Sequence, residues 1–113
     1  MNQIINKTHE VTISRGYGVD KDRHKVEPPE VKVKPGHKVK FLSPDSDAKI
    51  SFPDSGIINI TCWVTIKKGS SFVGIVNDSA EEDTYYYAVM CKHDDGEYWY
   101  AEGNSCPSMI VGG

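Results

Sequence analysis

No stretch of this sequence stays apolar for the ~18 to 20 residues that a membrane-spanning helix requires, and none carries convincing helical periodicity. Cysteine is scarce. There are three in 113 residues, an odd number that allows at most one intramolecular disulfide, so disulfides do not build the scaffold. No two are spaced Cys-x-x-Cys, which removes the usual redox and zinc-knuckle arrangements. Excess positive charge is also missing: 13 Lys and Arg stand against 16 Asp and Glu, for a net charge of -3. Nucleic acid, whose backbone demands a basic face, is excluded as a partner on that ground, and nothing favours an anionic membrane. Gly-x-Ser-x-Gly, His-Glu-x-x-His and a phosphate-cradling glycine loop are all absent. The start, Met1 to Lys7, has no basic region followed by an apolar core and does not read as a secretory signal. The expected location is the cytoplasm if Met1 is native and the periplasm if a leader was removed.

What the chain does have is alternation, the period-two signature of half-buried strands. Glu10 to Ser14 alternates. The charged run Asp20 to Lys25, behind Gly16 and Gly18, reads as a solvated hairpin tip. From Val26 to Phe41 the pattern is clearest: Val31, Val33, Val39 and Phe41 point one way, and Lys32, Lys34, Lys38 and Lys40 the other. Pro35-Gly36 supplies the turn between. Ile50 and Phe52 flank Ser51, Ile57 to Ile66 is rich in β-branched residues, and Phe72 to Val76 is strand. Asn77 to Asp83 reads as loop.

The last third organises the rest. Tyr85, Tyr87, Val89, Cys91 and His93 share one face by alternation. Asp95-Gly96 predicts a two-residue hairpin turn pairing His93 with Tyr98. Met109-Ile110-Val111 is a final strand. About seven to nine short strands at regular spacing predict an all-β, antiparallel Greek-key β-sandwich. One domain spans residues 1–113, with its core at about residues 10 to 111.

Candidates for chemistry are few. Cys91 and His93 lie two apart on a strand, about 7 Å between side chains, too far for a nucleophile and base to share a proton. No catalytic residue is expected and the chain does not read as an enzyme. Glu81-Glu82-Asp83 and Asp94-Asp95 suit solvated loops better than acid–base pairs or calcium sites, and Cys62 suits a buried thiol. The consecutive rings Tyr98, Trp99 and Tyr100 must place at least one on the outer face. An exposed aromatic strip of this kind suits a protein partner, a small ligand or a second copy of the chain in a weak homo-oligomer.

Three segments in this order resemble cupredoxins and plastocyanin-like domains: Glu27 to Phe41, Ile50-Ser51-Phe52-Pro53-Asp54, and Thr84-Tyr85-Tyr86-Tyr87 leading to a last strand. The ending Tyr100 to Val111 is similar to that of small bacterial cupredoxin-like proteins of unassigned function. The resemblance covers about Val26 to Val111. It implies a Greek-key sandwich and raises the question of copper.

A type 1 copper site takes two His, a Cys thiolate and usually a distant Met. By the resemblance, the first His should stand just before Ile50-Ser51-Phe52, where this chain has Ala48-Lys49. The others should crowd one short loop, whereas here Cys91 and His93 are followed by Met109 only after a whole hairpin. The expectation is therefore no metal and no cofactor. The alternative is an electron-transfer protein with an atypical copper site, whose ligands would be Cys91, His93 and Met109, with help from His37 or His24. Cys91 and Cys106 are also a candidate disulfide, which would contribute about 3 kcal/mol where geometry and redox potential allow.

Overall fold

The computed structural model describes residues 7–15, 24–52, 57–58, 63–93, 96–101 and 107–112. Among these are eleven strands and no helix: β1 (Thr8–Arg15), β2 (His24–Glu27), β3 (Glu30–Val33), β4 (Lys38–Ser43), β5 (Ala48–Ser51), β6 (Val64–Ile66), β7 (Ser70–Ile75), β8 (Asp83–Tyr86), β9 (Ala88–Lys92), β10 (Tyr98–Tyr100) and β11 (Ser108–Val111). One sheet runs β2-β1-β4-β7. The facing layer is made of β3-β11-β8 and β10-β9-β5-β6, joined because β8 and β9 are one run interrupted only at Tyr87. The β-sandwich expected from the alternation is present.

The strand number exceeds the expected seven to nine because long strands change partners partway. Pro28 and Pro29 have no N–H to give a ladder, so the run from His24 breaks there. Its first half pairs with β1 and its second with β11. Tyr87 does the same for the run from Asp83. Its N–H donates to the Pro107 carbonyl at 3.1 Å, an ordinary amide hydrogen bond, and β8 pairs with β11 while β9 pairs with β5. Two pairings, β1 with β4 and β3 with β11, are parallel, so the sandwich is mixed where the sequence predicts antiparallel strands throughout. The Pro35-Gly36 turn is where expected, with Gly36 at φ +87°, a region that favours glycine. It carries the chain between layers, since β3 and β4 lie in different sheets.

Alternation decides the core. Val31, Val33, Val39, Phe41, Ile50, Tyr87, Val89 and Cys91 are buried, and the lysines between the first four are not. Three rings knit the layers: Phe41 of β4 meets Tyr87 edge-on at 5.7 Å and Phe52 at 6.1 Å, and Phe52 stacks on Tyr87 at 4.8 Å. The Tyr87 hydroxyl is buried without a hydrogen-bond partner among the described residues, and desolvation pushes its pKa well above the phenol range. An unpartnered buried hydroxyl costs about 1–3 kcal/mol. Tyr87→Phe is therefore expected to raise stability by about 1 kcal/mol in urea unfolding; a clear loss instead would mean that the hydroxyl is satisfied.

Two local expectations change. His24 was placed in a solvated hairpin tip by the charge run around it. It lies instead in β2, opposite Arg15, and is only 2% exposed, because His24 and Val26 occupy the inward positions of that strand. The β9–β10 turn is one residue longer than predicted. His93 N–H bonds the Glu97 carbonyl at 2.8 Å, Gly96 N–H bonds the His93 carbonyl at 2.9 Å, and Gly96 sits at φ +88°. A three-residue hairpin loop with glycine in the left-handed region fits this. One residue of slip exchanges the faces of a strand, and that reassigns the aromatic rings.

Candidate functional site

Cys91 sits in β9 with Ala48 of β5 directly opposite on one side and Trp99 of β10 directly opposite on the other. Ile66 of β6 pairs with Ala48. Cross-strand partners share a face, so Ile66, Ala48, Cys91 and Trp99 form one row across the sheet, facing into the sandwich at one end. Ala48 and Cys91 have no exposed surface, whereas Trp99, at the sheet edge, is 55% exposed. The longer hairpin loop produces this pairing. The two-residue turn would have set Tyr100 beside Cys91.

The loop between β4 and β5 closes the site from the side. The Ser43 hydroxyl donates to the Ser46 carbonyl. Lys92 N–H bonds the Asp47 carbonyl at 2.9 Å, and Lys68 N–H donates to the Asp47 carboxylate at 2.8 Å. These bonds tie the loop to β9 and to the turn before β7. They carry Ser46, buried at 6% exposure, against the Cys91 sulfur. The Ser46 hydroxyl makes no hydrogen bond of ordinary geometry among the described residues, and its pull on the thiol is the smaller effect. Burial dominates and pushes the Cys91 pKa up to about 12. The thiol is protonated at neutral pH and is a poor nucleophile.

Above Cys91 on the same face is His93. Its ring stacks on Trp99 at 5.2 Å and lies 5.0 Å from His24, which reaches across from the opposite sheet. The three rings grade from buried His24, through half-buried His93, to exposed Trp99. On the sheet's outer surface are Tyr98, whose ring lies 4.3 Å from Lys49 Nζ, and Tyr100, 66% exposed. Tyr98, Trp99 and Tyr100 thus divide, two outward and one over the Cys91 end.

The copper ligand set does not assemble. Cys91 and His93 are neighbours on one face, but Met109 is fully buried opposite Tyr85 in β8, about 20 Å along the β8–β9 run from Cys91 at strand rise. His37 lies before β4, at the opposite end of that strand from Ser43, and belongs to the far end of the sandwich. His24, named from the sequence only as a helping ligand, does approach His93; its inward position in β2 is hidden in the sequence by the charged residues around it. Ala48 occupies the position beside the sulfur where the resemblance calls for an imidazole. No group of three His, Cys, Asp or Glu side chains among the described residues is arranged to hold a metal. Among the described residues the candidate donors Cys91, His93 and Met109 do not converge as a type 1 copper ion would require. Cys91 itself is a buried free thiol; Cys106, its candidate disulfide partner, lies outside the described residues, as do Cys62, Asp94 and Asp95.

No family model and no curated protein matches this sequence. Solved structures do match. A purple cupredoxin from Nitrosopumilus maritimus superposes with a TM-score of 0.57 at 19% identity, covering 92% of this chain and 99% of that one. A reduced Cu(I) form of an amicyanin variant gives 0.54 at 16% identity, over 97% of this chain and 87% of that one. Pseudoazurin from Methylobacterium extorquens AM1 gives 0.54 at 18% identity, over 94% and 76%. The chain has the cupredoxin fold.

Proposed function

We propose that this chain is a cupredoxin-fold domain, copper-free at its Cys91 end, that works as a binding module, engaging a protein partner or a small ligand through the aromatic end built around Trp99 and Tyr100. The observation that carries this reading is the register: Ala48 stands directly beside Cys91, so the position that would have to contribute an imidazole contributes a methyl group. With it go the buried thiol and the distance of Met109 from Cys91. The ligand-holding end of the fold is packed with Ile66, Ala48 and Cys91, all with little or no exposure. Its rim, by contrast, exposes large rings of the kind enriched at interfaces.

A titration of the reduced protein with Cu(II) tests this. The expected result is no intense visible thiolate-to-copper band at any ratio. A strong band that disappears in Cys91→Ala would overturn the reading and assign Cys91, with His93 and its neighbour His24, to an atypical copper site.

A further inference from the structure

At the other end of the sandwich, His9 and His37 meet. Alternation explains how: His9 continues the inward row of Val11 and Ile13 in β1, and His37 continues that of Val39 and Phe41 in β4. The two strands run parallel, with His9 level with Val39. Each histidine therefore lies one step beyond the core, half-buried, and the rings converge. Their centroids are 5.1 Å apart and tilted by 32°. His9 Nε2 is 3.0 Å from His37 Nδ1. His37 Nδ1 also accepts a hydrogen bond from the Lys34 N–H at 3.2 Å, so it is the unprotonated nitrogen of its ring, and His9 Nε2 carries the N–H that donates to it.

We propose that His9 Nε2 and His37 Nδ1 form a two-imidazole site for a tetragonal divalent cation, Cu(II) foremost, remote from Cys91 and independent of it. The spacing is compatible with a chelating pair. Two nitrogens 3.0 Å apart, each bound at about 2.0 Å, subtend about 95° at the metal. That is near a cis pair in a square or octahedral shell, and an opening of about 0.3 Å would reach the tetrahedral angle, so donor type rather than spacing ranks the ions. Nitrogen donors in tetragonal geometry favour Cu(II) and then Ni(II), and Cu(II) leads in affinity at any such site. Water would fill the remaining positions, since among the described residues two nitrogens are the donors brought together there.

The surroundings permit this. Both imidazoles are held below the ordinary histidine pKa, chiefly by desolvation, with Lys7 near both, His37 acting on His9, and Lys34 on His37. Neutral rings at pH 7 can bind a cation without net loss of a proton, the His9 proton moving from Nε2 to Nδ1 to free the second lone pair. The lysine heads are mobile and screened by salt. A metal would take the Nδ1 lone pair from the exposed Lys34 amide, which can turn to water at little cost. The backbone that holds His37 is fixed on both sides: Gly36 N–H bonds the Val76 carbonyl at 2.9 Å and Val76 N–H the His37 carbonyl at 2.8 Å. The Asp78 carboxylate adds negative charge nearby, its Oδ1 lying 3.6 Å from where a Cβ on Gly36 would stand.

The test is a titration of the full chain with Cu(II), read by electron paramagnetic resonance and by paramagnetic broadening of amide signals. Ni(II) calorimetry serves as the redox-inert arm. The expected result is one equivalent bound with a tetragonal, nitrogen-coupled signal and no thiolate band. Broadening should centre on residues 7–9 and 34–38. His9→Gln and His37→Gln should each weaken binding by on the order of tenfold or more, and Cys91→Ala should leave it unchanged. Both histidines are half-exposed, so the variants should keep the wild-type fold, checked by circular dichroism. Binding unaltered in both histidine variants, or broadening centred on Cys91, would overturn the site. The copper-free assignment of the Cys91 end falls on a different signal, the thiolate band, so either proposal can fail alone.

Discussion

Above pH 9 the folded protein is expected to lose stability at about 1.4 kcal/mol per pH unit through one side chain, Cys91. Its pKa rises on folding from 9.0 to about 12, mainly because burial disfavours the thiolate. Between those values the unfolded chain releases the proton and the folded chain keeps it, so the unfolded state binds fewer protons and stability falls as pH rises. By pH 12 the loss is on the order of 4 kcal/mol, a large part of the 5–15 kcal/mol typical of a domain. Tyr87, raised by the same cause, adds to the slope above its own ordinary range. Cys91→Ala should cost about 1–2 kcal/mol at pH 7 through lost buried volume, yet show a shallower decline. The wild-type and variant curves should therefore converge as pH rises and then cross. Urea midpoints measured from pH 7.5 to 11 would show this, and parallel curves would mean that the thiol reaches water. The same burial keeps the Cys91 thiol protonated at neutral pH, where it is a poor nucleophile.

Phe41→Ala is expected to destabilise by about 3–5 kcal/mol, with a fall in melting temperature on the order of 15 °C. Phe41 has no exposed surface, and its ring joins the two layers through Phe52 and Tyr87. Removing it leaves a cavity that rigid strands on both sides cannot close, and it breaks two edge-on aromatic contacts, each worth about 0.5–1.5 kcal/mol beyond its area. Tyr100→Ala, at a ring 66% exposed, should stay within about 0.5 kcal/mol of wild type. A loss under about 1.5 kcal/mol for Phe41→Ala would show that the layers are held elsewhere.

The contrast between these two ends of the molecule matters for how the fold is used. In the purple cupredoxin, amicyanin and pseudoazurin relatives by structure, the sandwich is shared at 16 to 19% identity, a level at which side chains at any site are free to differ. Here one end sets Ala48 and Ile66 in line with Cys91 and stacks His24, His93 and Trp99. The other end brings two imidazoles together.

Period-two alternation alone placed Val31, Val39, Phe41, Val89 and Cys91 inside and the lysines outside, because side-chain direction in a strand is a local property. It also identified the Pro35-Gly36 turn, since the positive φ there is met by glycine at no steric cost. The substitution at Ala48 was legible as soon as the cupredoxin-like order of segments was. Pairing was not. Whether β1 lies parallel to β4, whether the β9–β10 loop holds two residues or three, and whether His24 faces water or the interior all depend on partners distant in sequence. Alternation is the same for every partner, so it cannot choose among them. The Cys91–Trp99 row, the His24–His93 approach and the His9–His37 pair therefore exist only because tertiary structure fixed those registers.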